Sequence, residues 1–284
     1  MSRRPIRRGG AGPAATDRLI LGATLVLALL MLAPLLWVAA LSFKDNGELM
    51  VSMDRVFHAP YTLRNYASIL ATSSVFRWIA NSLIVAGGTT LGTLILSSLA
   101  GYGFARLDFP GRDALFVIVL AGLAVPEQAV LIARHQIFGW LNFHNTYHGL
   151  ILPGLSAPFG VFLMTQYFRA IPKELDEAAL LDNAGRFKIF WKVLLPLTLP
   201  AQATLGIFTF LNSWNDYSWP LISATSKEMF TLTMGIASTQ TNFAQSDGVG
   251  YLMAQAVFAG APILVVYLFF QKYIVTAVSG AAVR

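Results

Sequence analysis

The chain has 284 residues, 56% of them hydrophobic and only 12% charged, with a mean hydropathy of +0.61. Soluble domains carry about 25% charged residues, so this composition cannot cover a water-facing surface and suits lipid as solvent. The absence of cysteine excludes a disulfide framework, a thiolate metal site and a cysteine nucleophile. The net charge of +6 does not mark a nucleic-acid binder, because the basic residues sit at the ends of apolar runs, where they set membrane orientation.

In chain order, residues 1–17 are Arg-, Gly- and Ala-rich and read as a disordered basic N-terminus. The rest, 18–284, reads as one transmembrane domain, all-α, with about six spans of roughly 20 apolar residues. They lie near 19–41, 79–100, 114–132, 150–168, 199–222 and 251–274. The first apolar run is longer than a signal-peptide core and no A-x-A site follows, so it is expected to be retained. Pro126, Pro153 and Pro158 fall in the third and fourth runs, where neighbouring helices must satisfy the freed backbone groups.

An even number of spans puts both termini on one side. With that side cytoplasmic, Arg3, Arg4, Arg7, Arg8, Arg18, Arg106, Arg112, Arg169, Lys173, Arg186, Lys188, Lys192, Lys272 and Arg284 lie inside. Lys44, Arg55, Arg64, Arg77, Arg134 and Lys227 lie outside. This asymmetry follows the positive-inside rule and predicts a multi-pass protein of the cell (inner or plasma) membrane with cytoplasmic termini. The first outer connection, about 42–77, is expected to hold a short interfacial helix; the fifth, 223–250, is polar.

Small residues (Gly87, Gly88, Gly92, Gly101, Gly103, Ser97 and Ser98) run along the second span, a pattern for close helix packing or for a hinge. Glu127 follows Pro126 in the third span. It either lines a cavity or satisfies backbone groups that the proline frees. His144 and His148 are an i, i+4 pair, but Gly139, Asn142 and Asn145 predict a turn-rich stretch, and no metal site is expected. In the fifth span Asn212, Ser213, Asn215 and Asp216 alternate with Trp214, Tyr217 and Trp219. Amides and a carboxylate beside aromatic rings suit a sugar-like solute path; equally, the amides bridge helices and the aromatics form an interfacial belt.

The stretch 169–198, RAIPKELDEAALLDNAGRFKIFWKVLLPLT, does not look like a loop. Pro172 suits the first turn of a helix, and Glu174, Asp176 and Glu177 suit its positive end. Asp182-Asn183 predicts a break, and Phe187, Phe190 and Trp191 give a second short helix an aromatic side. Such a structured connection is a docking element for another protein or an element lying on lipid headgroups.

The run Glu177-Ala178-Ala179, then Asp182, then Val193-x-Leu195-Pro196, resembles the EAA loop of binding-protein-dependent ABC importer permeases. Asn183 replaces the usual Gly after the Asp, and Asn tolerates left-handed geometry; Val193 replaces the usual Ile. Residues 151–175 and 208–221 are similar to carbohydrate-uptake permeases, and 270–284 to the tail of the maltose-transporter G-type subunit. The resemblance implies a type I importer permease fold and a transport subunit that is not itself an enzyme. It implies a second homologous permease subunit, a cytoplasmic ATPase dimer that uses ATP and Mg, and an extracytoplasmic solute-binding protein. It assigns Glu177, Ala178, Ala179, Asp182, Asn183, Phe187, Leu195 and Pro196 to ATPase coupling, and leaves Asn212, Trp214, Asn215, Asp216 and Glu127 as candidate pathway lining. No G-x-x-x-x-G-K-[ST] is present, so this chain is expected to bind no cofactor and no nucleotide through a P-loop.

Overall fold

The computed structural model describes residues 15–45, 56–72, 74–239 and 248–282, with side chains placed up to residue 269 in the last stretch. The expected basic N-terminus up to residue 14, part of the first outer connection (46–55) and part of the fifth (240–247) lie outside the described residues. So do the side chains of the tail from 270 on.

All described regular structure is helical: α1 Ala15–Ser42, α2 Arg64–Ala71, α3 Val75–Arg106, α4 Arg112–Ala121, α5 Leu131–Trp140, α6 Tyr147–Ile151, α7 Pro158–Ala170, α8 Glu174–Leu181, α9 Arg186–Leu197, α10 Leu199–Asn215, α11 Ser218–Ser223, α12 Leu232–Thr239 and α13 Gly248–Ala282. Three helices are long and apolar enough to cross a membrane alone: Asp17–Ser42, Val75–Arg106 and Gly248–Phe269. Three further pairs qualify when each bent pair is taken together, which gives up to six spans. Because α1 starts at Ala15, the helix reaches into the stretch read as disordered.

The third apolar run is not one rod to Ile132. Its helix ends at Ala121, passes through a 3-10 turn at Gly122–Ala124, and turns by 94° before Glu127–Trp140. Val125 is extended (φ −83°, ψ 114°) because the ring of Pro126 disfavours helical geometry in the residue before it. The fourth run bends by 48° between Tyr147–Leu155 and Pro158–Ala170 for the same kind of reason. Thr146 caps α6, its Oγ1 accepting the Gly149 N–H at 3.0 Å. The fifth run, read to Ile222, stops being helical after Asn215 and restarts as α11.

The described residues group into two compact units. The first holds residues up to Ala67 and the start of α13. It contains Lys44, a fully buried lysine at 0% exposure. Lys44 Nζ donates to the His58 carbonyl and, at 3.2 Å, to the Pro60 carbonyl, and sits 4.3 Å from the centre of the Tyr61 ring. A buried ammonium demands such acceptors. Asn65 Nδ2 donates to the Ser42 and Lys44 carbonyls at 2.9 Å each, closing the segment back onto the end of α1. Leu41 and Val56 pack with Val249 and Met253 beside it.

The second unit is built on α3. Three of its glycines face neighbours so closely that a methyl group would collide: Gly88 with Ile151, Gly92 with Leu155, and Gly101 with the backbone of Met164–Thr165. Gly87 and Gly103 face open space. The small-residue stripe is therefore a packing face at three positions, along which the bent fourth run lies. Thr93 Oγ1 donates to the Gly154 carbonyl at 3.2 Å, covering a backbone group near that bend. At the other end of α3, Asn81 Nδ2 donates to the Glu228 and Phe230 carbonyls at 2.8 and 2.9 Å, and Tyr147 Oη donates to Asn81 Oδ1 at 2.7 Å. Trp78 Nε1 reaches the Lys227 carbonyl at 3.0 Å, and the Ser82 hydroxyl accepts the Leu232 N–H at 2.8 Å. One face of α3 thus holds residues 227–232.

Candidate functional site

The stretch 169–198 folds as two short helices, α8 and α9, separated by a tight turn. Asn183 adopts φ +55°. The Ala184 N–H bonds the Ala179 carbonyl and the Asn183 N–H bonds the Leu180 carbonyl, both at 3.0 Å. That bond pair is a Schellman motif with Asn in the left-handed position where Gly is commonest. Its apolar partner contact is present, with Ala184 buried and Ala179 packed in the same cluster. The departure from Gly that the sequence shows at position 183 therefore leaves the turn intact.

Beneath the turn, Tyr102, Met164, Phe168, Ile189, Phe190 and Leu194 form a buried cluster. The middle of α9, Phe190–Leu194, is a π-turn; it carries Phe190 and Leu194 into that cluster while leaving Phe187 and Trp191 outside. Pro196 and Pro200 then break the helix, and the chain bends by 77° into α10. The Leu195 carbonyl at this bend accepts Thr198 N–H at 3.1 Å, Thr198 Oγ1 at 2.8 Å and Gln202 Nε2 at 2.8 Å. Three donors on one carbonyl fix the kink.

The outward face is different. Leu181 is 86% exposed and Phe187 67%, with Leu180, Trp191, Glu177, Ala178, Asp182 and Asn183 also exposed. Of the expected coupling residues, then, Glu177, Ala178, Asp182, Asn183 and Phe187 share an open surface. Ala179 and Leu195 are half-buried supports, and Pro196 is exposed at the break. Two adjacent acids divide the work. Glu177 points out, whereas Asp176 points in and pairs with Arg106 at 3.1 Å, Nε to Oδ2, a charge contact rather than an aligned hydrogen bond. The roles of Arg106 and Tyr102 are not visible in the sequence, because residues some 65 to 85 positions apart carry no local signal of one another.

The candidate pathway residues fall into two sets. Asn212 and Asn215 are exposed on α10, and Asn215 Nδ2 bonds back to the Leu211 carbonyl at 2.9 Å. Asp216 follows them and caps α11, its Oδ1 accepting the Trp219 N–H at 3.3 Å. Glu127 stands at the bend of the third run, 3.5 Å from Arg134, and Arg134 lies over the Trp219 ring at 5.3 Å. Glu127, Arg134, Asp216 and Trp219 therefore gather at one end of α10. Trp214 is elsewhere: 1% exposed, stacked on Phe210 and bonded through Nε1 to the Ala259 carbonyl at 3.2 Å. Its surroundings are those of a helix-packing residue, which neither of the two readings given for it, path lining or interfacial belt, anticipated.

His135 and His144 stack with ring centres 4.4 Å apart, and Asn142 and Asn145 take φ of +55° and +56° in the turns around them. Among the described residues no group of three or more His, Cys, Asp or Glu side chains gathers to hold a metal.

The family described as "Binding-protein-dependent transport system inner membrane component" matches residues 93–280, which include all of α8, α9 and α10. The chain belongs to this family. The permease is 34% identical over 264 residues to the arabinooligosaccharides transport system permease protein AraQ of Bacillus subtilis, covering 92% of this chain and 93% of that protein. It is 33% identical to the diacetylchitobiose uptake system permease protein NgcG of Streptomyces coelicolor (90% and 85% covered). It is 31% identical to the trehalose/maltose transport system permease protein MalG of Thermococcus litoralis (94% and 96% covered). Among solved structures, a chain of a bacterial ABC transporter involved in import of the acidic polysaccharide alginate superposes with a TM-score of 0.80 at 22% identity, covering 93% of the permease and 99% of that chain. The fold is that of a type I ABC importer permease, a multi-pass membrane transport component, and the expected fold class and importer role hold.

Proposed function

We propose that α8 and α9 are the seat of a cytoplasmic ATPase dimer, and that the permease, paired with a second homologous permease subunit, passes a sugar or related polar solute delivered by an extracytoplasmic binding protein. The observation that carries this reading is the contrast between the two faces of α8–α9. The inner face is locked by the Schellman turn, the π-turn and the aromatic cluster. The outer face exposes Leu181, Phe187 and Trp191 beside Glu177 and Asp182. Exposed large apolar groups on a rigid base mark an interaction surface.

In this reading both termini are cytoplasmic, and ATP and Mg act in the ATPase subunits. Dimer closure there rotates the spans through α8–α9, a rigid-body switch of the kind that alternating access needs. Packing of Leu181 and Phe187 supplies most of the grip, since an exposed ion pair from Glu177 contributes only about 0–1 kcal/mol; Glu177 sets register. The names of the relatives, which concern arabino-oligosaccharides, diacetylchitobiose and trehalose or maltose, support a carbohydrate. Asn212, Asn215, Asp216 and Glu127 are the proposed polar lining.

The test is co-purification of the ATPase with the permease, followed by ATPase assays with those sugars and a binding protein. Leu181→Asp should lose the ATPase from the complex, and Glu177→Ala should keep complex yield while lowering sugar-stimulated hydrolysis. Normal yield with full stimulation in both variants would refute the seat.

A further inference from the structure

The last two turns of α3 grip the α8–α9 segment at three points. Arg106 and Tyr102 are four residues apart and so lie on one face of the helix. Arg106 Nη2 donates to the Ile171 carbonyl at 2.6 Å, just ahead of α8. Its Nε lies 3.1 Å from Asp176 in the first turn of α8, with the two side chains 5% and 18% exposed. Tyr102 Oη donates to the Arg186 carbonyl at 3.2 Å, at the start of α9, and the Tyr102 ring packs against Phe168 and Phe190 at centre distances of 5.9 and 5.1 Å. Both sides of the Asn183 turn are therefore held by one helix.

The charges suit their places. Arg106 sits at the negative end of α3 and Asp176 at the positive end of α8, so each is favoured by its own helix as well as by the other. At Gly101, one turn before, α3 lies directly against the backbone of α7. The chain continues covalently from α7 into α8 and from α9 into α10. To α3 the segment is joined through side chains alone, and Arg106 supplies the charged part of that joint.

We propose that Arg106 is the positioning residue that makes α8–α9 and the cytoplasmic end of α3 one rigid body, so that movement of the segment is delivered to the second span as well as to the helices it joins in sequence. The inference rests on the seat reading above for the source of the movement, but the rigidity itself is measurable without it. Lysine does not substitute: its ammonium is a single point charge, whereas the extended guanidinium bonds the Ile171 carbonyl through Nη2 while holding its charge 3.1 Å from Asp176 at Nε.

The chain has no cysteine, so two spin labels can be placed on the full-length permease in its complex through Gly103→Cys, where a side chain meets open space, and Glu174→Cys, which is exposed. Their separation is read by electron–electron double resonance without nucleotide and with a non-hydrolysable ATP analogue. In the otherwise unaltered chain the distribution should be narrow and unmoved by nucleotide. In Arg106→Lys and in Asp176→Asn it should broaden without nucleotide, and its mean should shift by about 1–2 Å or more when nucleotide binds. Solute moved per ATP should fall about tenfold with basal hydrolysis retained, within the usual range of coupling between sites.

A nucleotide-induced shift in the unaltered chain, or narrow unmoved distributions in both variants, overturns the inference. If the variants fail to assemble, the unaltered chain decides alone. Loss of the seat reading looks different: the ATPase would be absent from the complex or indifferent to Leu181→Asp, whatever the label distances.

Discussion

Gly101→Ala offers a sharp test of how tightly α3 and α7 are joined. A Cβ built at Gly101 lies 2.7 Å from Met164 Cβ and 2.9 Å from both the Met164 carbonyl carbon and the Thr165 nitrogen. Two of these three atoms are backbone, so no rotamer change relieves the clash. Carbon atoms pack best about 3.5–4.0 Å apart, so α3 must retreat from α7 by close to 0.8 Å. A gap of that size forfeits about a quarter to a half of the dispersion attraction along the face, and overpacking of this kind costs about 1–3 kcal/mol. Alanine's better helix propensity returns at most about 1 kcal/mol. Two residues on, a Cβ at Gly103 meets nothing within 4 Å, so Gly103→Ala keeps the propensity gain without the clash. Thermal inactivation midpoints of the detergent-solubilised permease should fall for Gly101→Ala and hold or rise for Gly103→Ala. Equal midpoints for the two variants would refute the close approach of α3 to α7.

Further outcomes are expected elsewhere. Asn183→Gly should be neutral or slightly stabilising, because glycine takes the left-handed φ without strain, whereas Asn183→Val should lower the midpoint by about 1–2 kcal/mol equivalent; the two variants should separate clearly in a melting assay. Asn81→Ala leaves the Glu228 and Phe230 carbonyls without their donor, a loss of about 1–3 kcal/mol, visible as faster proteolysis within 227–232. Phe187→Ala removes an exposed ring, so it should spare the melting midpoint of the isolated permease while weakening ATPase retention on a washed affinity column.

The spans were legible because lipid leaves a strong compositional mark: α1, α3 and α13 all extend past the apolar runs that announce them. The bends at Pro126 and Pro158 were marked by residue type, but the 94° and 48° turns depend on what packs beside them, which no local pattern encodes. The turn at Asn183 was readable because one residue's backbone preference decides it. Trp214 was read in sequence as facing a sugar path or a membrane interface; its burial and its bond to the Ala259 carbonyl show a helix contact that an indole in an apolar run does not announce. Arg106 counted toward membrane orientation by its charge, yet its guanidinium points into protein, toward Asp176 and Ile171, and that partnership is purely tertiary. Lys44 likewise counted as an outer-side charge, and its full burial among carbonyls is equally tertiary.

The central claim is that the exposed face of α8–α9 is occupied by a separate ATPase. A single cysteine at Leu181, the sole thiol of the chain, carrying a photoactivatable cross-linker in the purified transport complex, addresses it directly. One dominant adduct is expected, joining the permease to the ATPase subunit and absent from the unaltered, cysteine-free chain. An assembled, ATP-hydrolysing complex in which that cross-linker captures only lipid or the permease itself would contradict it.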